Sequence, residues 1–263
     1  MLMASMIGSD FSQACEQGSV GTVHSVFERA VNIQLAGQSG GLLTLLGSNI
    51  DMMPACLLAS SPSGTWGRLM KIGDSVLFTR EVLYVKNVPI VNVINHARRW
   101  ARLSDVEITA LCKPDMGLVR RNCEFTLRYL GDKSPAPFQF PQGTFDPLDF
   151  IGLGLGLTPA GDDFLAGMLY GMTFMEKLTG IRNPCLPQMI NTIATNLHRT
   201  GEISRHFLRY ALAGEWGRNT EDFLVALTGS DIATLQRAID KKLSVGASSG
   251  ADEIYGCIFG VQK

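Results

Sequence analysis

The sequence predicts an α+β protein, with a β-rich N-terminal barrel or sandwich (residues 1–103) followed by an all-helical C-terminal part (residues 104–263). Three observations support this division. Short runs of β-branched and aromatic residues, separated by turn signals, fill the first hundred residues. Apolar residues recur at three- and four-residue spacing from about residue 104 onward. Two stretches rich in glycine, hydroxyl residues and aspartate both lie in the helical part.

The N-terminal part is predicted to consist of short strands. Residues 23–35 have the apolar spacing of a strand, 37–41 are typical of a turn, and 42–46 form a return strand. Four further strands are expected, at residues 55–59, 76–78, 82–85 and 90–94. Several short strands with regular turns favour a small barrel or sandwich. Asn32 is polar within its apolar run, and a solvent-facing or hydrogen-bonded core group is the simplest interpretation.

The C-terminal part is predicted to be a series of helices. Residues 111–130 have helical apolar spacing and end at Gly131, and the four prolines within 134–150 predict a linker. Further helices are expected at residues 186–197, 202–213, 220–227, 231–243 and from about 249. Ser204 and Arg209 are candidate binding residues, because the arginine fork matches carboxylate and phosphate oxygens. Surface exposure of Arg209 and its helical neighbour Arg205 is an equally simple interpretation.

The composition is that of an ordinary globular protein. The 263 residues are 46% hydrophobic and 18% charged, with a formal net charge of −1, which gives no electrostatic footprint for nucleic acid or an anionic membrane. The N-terminus lacks the features of a signal peptide, and the longest apolar run, 164–175, is too short to span a bilayer. Six scattered cysteines form no metal-binding motif. We therefore expect a cytoplasmic protein with reduced thiols, no zinc site, and no nucleic-acid or membrane partner.

The stretch 152–167 carries the strongest functional signal. Its glycines, among them Gly154, Gly156 and Gly161, let backbone N–H groups approach a ligand closely. Thr158 followed by Pro159 predicts an N-cap with proline in the first helical turn. A glycine loop that enters a helix N-terminus is typical of an anion site, although a tight loop before a buried helix is an equally good interpretation. The stretch matches neither a Walker loop nor a dinucleotide fingerprint.

A second stretch near the C-terminus repeats the first. With one gap, the glycine, hydroxyl, glycine and aspartate positions of the first stretch align with Gly246, Ser248, Gly250 and Asp252. Each aspartate, Asp163 or Asp252, is followed by glycines four and eight positions later, which form a stripe on one helix face. Glycine within a helix costs about 1 kcal/mol relative to alanine. We therefore predict that the two helices pack closely and bring both loops to one pocket.

The alternative is two unrelated capped helices, in which Ser249 and Asp252 form a capping box.

Charge also limits what such a pocket can hold. At about 4 Å, like charges repel by about 4 kcal/mol at an effective dielectric of 20, whereas a helix terminus returns about 0.3–1 kcal/mol. A phosphate beside the aspartates therefore needs Mg²⁺ or an arginine, unless the aspartates face an N–H-rich part of the ligand. A ureido or carbamoyl compound with an acidic end fits that last condition. The sequence shows no nucleophile–base pair for covalent catalysis.

The two motifs resemble the AllH family, long catalogued as a domain of unknown function. The resemblance rests on 156–163 and 246–252, and extends to Ser204 with 208–211, and to Asn32 with 39–40 and 42–45. It implies a subunit of oxamate carbamoyltransferase in allantoin and purine catabolism, which converts oxalurate and phosphate into oxamate and carbamoyl phosphate. The resemblance also implies other subunits as partners, adds Asn32 to the candidate binding residues, and supports Ser204 and Arg209.

We combine the two lines of reasoning in one hypothesis. The anionic end of the ligand is held by backbone amides and hydroxyl groups, those of Gly154, Gly156, Gly161, Gly250, Thr158, Ser248 and Ser249. The carbamoyl NH₂ group, or Mg²⁺ if a metal is present, is held by the carboxylates of Asp162, Asp163 and Asp252, which are the candidate catalytic residues. Two alternatives come from other classes: a non-catalytic scaffold subunit, and a Mg²⁺-dependent phosphotransfer or hydrolysis enzyme acting on a small metabolite.

Overall fold

The computed structural model describes residues 1–37, 41–48, 51–62, 64–92, 97–111, 114–133 and 145–263. It divides the chain into two compact units, Met1–Ala101 and Arg102–Lys263. The first unit contains a curled sheet and the second is helical, so the predicted fold class is confirmed. The centre of the predicted turn at 37–41 and most of the predicted linker at 134–150 lie outside the described residues.

The sheet of the first unit is a half-barrel. The described strands, in chain order, are β1 (Leu2–Met3), β2 (Met6–Ile7), β3 (Val20–Val26), β4 (Ala30–Leu35), β5 (Leu42–Leu46), β6 (Cys56–Leu58), β7 (Ser75–Phe78), β8 (Val82–Val85), β9 (Val88–Asn92) and β10 (Arg98–Arg99). Their order in the sheet is β1-β9-β8-β7-β3-β4-β5-β6-β2-β10. The strands from β9 to β5 pair antiparallel, whereas β5 with β6, β1 with β9, and β2 with β10 pair parallel.

Two features of the first unit differ from the sequence prediction. Residues 23–35 form a hairpin rather than one strand, because the Phe27 N–H donates to the Ala30 carbonyl at 2.8 Å and turns the chain between β3 and β4. The unit also contains helices α1 (Ser9–Gln17) and α2 (Thr65–Leu69), which were not predicted. The buried face of α1 places Phe11 edge-on against Phe78, so this helix covers part of the sheet.

The second unit contains eight α-helices in its described residues. They are α3 (Asp105–Ala110), α4 (Met116–Lys133), α5 (Ala160–Thr179), α6 (Leu186–Thr195), α7 (Glu202–Leu212), α8 (Arg218–Thr228), α9 (Ile232–Leu243) and α10 (Ser249–Val261). The predicted helix bounds agree within a few residues, except that the prediction at 111–130 missed α3. No helix in the described part of the chain combines the length and hydropathy needed to cross a membrane.

Helices α5 and α10 pack against each other through their glycine stripes. A Cβ added to Gly167 would lie 2.9 Å from the Cys257 nitrogen, and one added to Gly256 would lie 2.8 Å from the Met168 nitrogen. The same approach is made one turn later by the remaining glycines of the two stripes, Gly171 and Gly260. The predicted close packing is therefore confirmed. Residue numbers rise together along the contact, so the helices are parallel and both N-termini lie at the same end.

Candidate functional site

The two loop–helix junctions meet at this shared end. Thr158 Oγ1, which precedes α5, lies 3.0 Å from Ser249 Oγ, the first residue of α10. The Asp163 carboxyl group lies close enough to Asp252 for the negative charge of one to raise the pKa of the other. The sequence repeat therefore corresponds to two junctions that adjoin in space.

The helix starts differ in detail from the sequence prediction. The N-cap of α5 is Pro159 rather than Thr158, and the N-cap of α10 is Ser248. Neither residue makes a side-chain cap, so the predicted Thr158 cap is wrong, and the alternative of a Ser249–Asp252 capping box is not observed. The physical reason is that the hydroxyls of Thr158 and Ser249 hydrogen-bond to each other and to the Asp163 carboxyl group, instead of to backbone N–H groups.

Gly161 and Gly250 hold equivalent positions in the first turns of α5 and α10. A Cβ on Gly161 would press on the Phe150 carbonyl, and one on Gly250 would press on the Lys242 carbonyl. Both glycines therefore serve close approach of the preceding chain. The Gly161 N–H donates to Leu153 at 2.8 Å, and the Gly250 N–H donates to Val245 at 3.3 Å. This corrects the hypothesis for these two amides, because both are already occupied by the protein.

The remaining loop glycines are arranged differently. Gly154 and Gly156 have φ angles of +116° and +99°, a region of backbone conformation that favours glycine. Both are exposed, and their N–H groups make no backbone hydrogen bond to a described residue. Leu155 between them is 96% exposed. Two backbone donors of the loop therefore remain accessible beside the two helix N-termini.

Asp162 is a framework residue of the first junction. Its Oδ1 accepts from the Gly152 N–H at 2.9 Å, and its Oδ2 accepts from Thr200 Oγ1 at 2.5 Å and from Ser204 Oγ at 2.6 Å. The carboxylate is 1% exposed. Both oxygens thus fix the glycine loop to the start of α7. This structural role distinguishes Asp162 from the other two candidate aspartates.

Asp163 and Asp252 leave buried acceptors unused. Within the described residues, Asp163 Oδ2 and both carboxylate oxygens of Asp252 are buried and have no hydrogen-bond partner. Burial raises the pKa of Asp252 to about 6, against the opposing effect of the nearby Ser248 hydroxyl. A buried, unpartnered carboxylate costs free energy that the fold does not recover. Buried acids with a raised pKa are candidate functional-site residues.

The pKa of Asp163 is raised well above its usual value. Burial is the largest cause, the hydroxyls of Ser249 and Thr158 oppose it, and the negative charges of Glu253 and Asp252 raise the pKa further. Glu253 therefore belongs to the same group of acids, although its hydrogen bond and its ion pair are made with Thr220 and Lys242.

A buried lysine completes the surroundings. Lys242 on α9 is 2% exposed, and its Nζ lies 2.7 Å from Glu253 Oε1 and 2.8 Å from Thr220 Oγ1. Thr220 Oγ1 in turn donates to Glu253 Oε1 at 2.5 Å. We call the cluster of Lys242, Glu253 and Thr220 the buried tie. It joins helices α8, α9 and α10, and its acidic member, Glu253, lies next to the two aspartates.

Comparison with protein families supports the resemblance. A family model described as "Oxamate carbamoyltransferase subunit AllH" matches residues 150–261, which include both junctions. A model of the AllH family N-terminal domain matches residues 3–99. The chain belongs to the AllH family. No solved structure matches the chain.

The other predicted binding residues of this AllH-family chain have separate surroundings. Ser204 is buried and donates to Asp162. Arg209 is exposed on α7, while Arg205 donates to the backbone carbonyls of Leu197 and Thr200. Arg205 is therefore a structural arginine, and Arg209 stays a prediction.

Asn32 lies in the first unit, on β4. Its Oδ1 accepts from Thr44 Oγ1 at 2.8 Å and its Nδ2 donates to Ser25 Oγ at 3.1 Å, so it is a hydrogen-bonded core residue. Its proposed contact with a ligand stays a prediction. Across the described ranges, no group of three or more histidine, cysteine, aspartate or glutamate side chains is arranged to hold a metal ion.

Sequence reasoning missed Lys242, Glu253 and Thr220. One signal could have revealed the first: Leu235, Ile239 and Lys242 follow helical spacing, so the lysine falls on the buried stripe of α9. A lysine on an apolar stripe needs a partner, because Lys is almost never fully buried alone. The acidic partner on α10 could not be identified from spacing.

Asp252→Asn should stabilise the AllH-family chain above pH 6. The folded-state pKa of Asp252 is about 6 against an ordinary value of 3.8, so ionisation penalises folding. The penalty is absent below about pH 4, grows between pH 4 and pH 6, and is complete above pH 6. The shift corresponds to about 3 kcal/mol, which solvent screening reduces to about 1–2 kcal/mol.

Urea unfolding of Asp252→Asn and the unchanged chain at pH 4, 5, 6 and 8 measures this difference. The gain should appear at pH 8 and vanish at pH 4. A variant that is less stable than the unchanged chain at pH 8 would show that Asp252 supports the fold instead.

Proposed function

We propose that this chain is a ligand-binding subunit of an oxamate carbamoyltransferase, with its binding site at the joined N-termini of α5 and α10. One observation carries the proposal. Asp252 is 1% exposed and both its carboxylate oxygens lack a partner among the described residues, beside an equally unpartnered Asp163 Oδ2. These three oxygens suit a ligand with N–H donors. The family description supplies the reaction class.

The proposed ligand has two chemically different ends. Its carbamoyl or ureido NH₂ group donates to Asp163 and Asp252, which are acceptors when ionised. Its anionic end faces the exposed N–H groups of Gly154 and Gly156 and the positive ends of two helices. The hydroxyls of Thr158 and Ser249, together with Ser248, lie between the two ends. Oxalurate and oxamate both combine these ends, and phosphate would react with the former to give carbamoyl phosphate.

In the proposed reaction this chain acts by positioning and by charge stabilisation. The carboxylates hold the NH₂ group so that the carbamoyl carbon is presented to phosphate, and no residue of the chain forms a covalent bond to the substrate. Localisation in the cytoplasm and a place in allantoin breakdown belong to the same proposal.

The activity is tested in the assembled enzyme. The purified chain is mixed with its partner subunits, oxalurate and phosphate, and carbamoyl phosphate is assayed. The proposal requires product formation that depends on this chain. An assembled enzyme that remains fully active with both Asp163→Ala and Asp252→Ala would remove these residues from the reaction.

Binding of oxamate to the chain should weaken at least tenfold in Asp252→Asn or Asp163→Asn at pH 8, because each variant replaces a carboxylate acceptor by a neutral amide. Isothermal titration calorimetry measures the dissociation constants. Asp240→Asn is the matched control, because Asp240 on α9 is partnered by Lys133 and Tyr129. Weaker binding in a variant that is also more stable would mark a ligand-binding residue rather than a structural one.

A non-catalytic scaffold subunit is the second candidate. The glycine stripes are fully accounted for by helix packing, and Leu155 exposes an apolar side chain on the glycine loop. This candidate predicts no oxamate binding by the chain alone and full activity of the assembled enzyme with either aspartate replaced. The calorimetric and activity assays above therefore decide between the two.

A further inference from the structure

The buried tie of Lys242, Glu253 and Thr220 has no evident role in the packing of the two glycine stripes. Lys242 Nζ contacts Glu253 Oε1 at 2.7 Å and Thr220 Oγ1 at 2.8 Å, and Thr220 donates to the same Glu253 oxygen. Burying such a pair gains little over a well-packed apolar pair of the same size. Its acidic member, Glu253, directly follows Asp252 on α10, so the charges of this pair lie beside the candidate site.

The tie is oriented with respect to the site. Its negative end, Glu253, follows Asp252 in the chain and acts on Asp163, whose pKa it raises. Its positive end, Lys242, is held on α9 next to Thr220 of α8. Thus the acids present a negative potential to anything that occupies their unpartnered oxygens. In a buried site this potential strongly disfavours an anionic group and favours an uncharged N–H donor.

We propose that Glu253, locked by Lys242 and Thr220, is a specificity-determining residue that excludes anionic groups from the Asp163–Asp252 end of the site and reserves it for an uncharged NH₂ group. The inference rests on the proposed function, since it concerns the same site. It also assigns the orientation of the substrate. The carbamoyl end lies against Asp163 and Asp252, and the anionic end lies with phosphate against the glycine loop.

Oxamate and oxalate provide the test, because they differ only in an NH₂ group replaced by a charged oxygen. The measured quantity is the ratio of the oxalate to the oxamate dissociation constant, obtained by calorimetry on the full chain at pH 8. We expect a ratio of at least about 100 in the unchanged chain, and a roughly tenfold lower ratio in Glu253→Gln. Lys242→Met should raise the ratio, because it leaves Glu253 uncompensated.

The double variant Lys242→Met with Glu253→Gln should give a ratio below that of the unchanged chain and above that of Glu253→Gln, because it removes Glu253 without leaving Lys242 uncompensated. Opposite effects of the two single variants are expected from charge, whereas structural damage would move both in the same direction. Lys133→Met and Asp240→Asn are matched controls on the exposed tie of Lys133, Asp240 and Tyr129, and should leave the ratio unchanged.

Two outcomes separate this inference from the proposed function. Failure of the unchanged chain to bind oxamate would overturn the proposed function. Tight oxamate binding with the same ratio in Glu253→Gln, Lys242→Met and the double variant would overturn the role of Glu253 alone. If Glu253→Gln does not fold, which circular dichroism and a thermal melt would show, the Lys242→Met and double variants decide the matter by the same criteria.

Discussion

Gly256→Ala should lower the free energy of unfolding by at least about 3 kcal/mol and the melting temperature by roughly 6–12 °C. The added Cβ would press on the carbonyl of Phe164 and lie 2.8 Å from the backbone nitrogen of Met168, so no side-chain rotation can relieve the contact. The two helices would have to separate along their length. Gly167→Ala should have an equal effect, because the contact is reciprocal. Urea unfolding and calorimetric melting measure both variants.

Gly131→Ala is the matched control. Gly131 also lies within a helix, α4, but a Cβ there meets no atom of a described residue within 4 Å. Alanine should therefore stabilise the chain by about 0.5–1 kcal/mol, from higher helix propensity and lower unfolded-state entropy. Equal effects at positions 131 and 256 would mean that the stripe glycines are not needed for close packing.

Asp162→Ala should destabilise the chain by at least about 3 kcal/mol. The substitution leaves three donors without their acceptor, namely the part-buried Gly152 N–H and the buried hydroxyls of Thr200 and Ser204. Each unsatisfied buried donor costs about 1–3 kcal/mol, and hydrogen bonds to a charged group are among the strongest. The loop at Gly152 would also lose its attachment to α7. Chemical unfolding gives the free energy.

A double-mutant cycle sharpens this prediction. Ser204→Ala removes one donor and should cost about 1–2 kcal/mol. In the Asp162→Ala background the same change should cost almost nothing, because the Ser204 hydroxyl has already lost its partner. Additive effects would contradict the network and would return Asp162 to the group of candidate ligand-binding acids.

These results would separate two aspartates that look equivalent in the sequence. Asp162 stabilises the glycine loop, and its replacement should destabilise the chain. Asp252 is predicted to destabilise the free protein above pH 6, so its replacement should stabilise the chain and weaken ligand binding. Opposite signs for Asp162 and Asp252 would show that the first provides structure and the second belongs to a site.

Much of the fold followed from local patterns. Helical apolar spacing located α6, α7, α8, α9 and α10 to within a few residues, and short apolar runs bounded by turn signals located β5 and β8 without error. The prediction failed where a tertiary contact outweighs the local signal. The hairpin of β3 and β4 interrupts a run that looks continuous, and α1 is stabilised by a short buried face that includes Phe11 rather than by a long pattern.

The sequence alone determined that two helices carry the same glycine and aspartate pattern, because glycine spacing is a backbone requirement that can be read from the letters. From this it also predicted that the helices pack together. Only the tertiary structure decided what each polar group does, since Asp162 finds its donors on Thr200 and Ser204, and Glu253 finds Lys242, across gaps that no spacing rule spans. Hydrogen-bond partners and burial are properties of the packed chain, and they separate the framework acid from the acids left for a ligand.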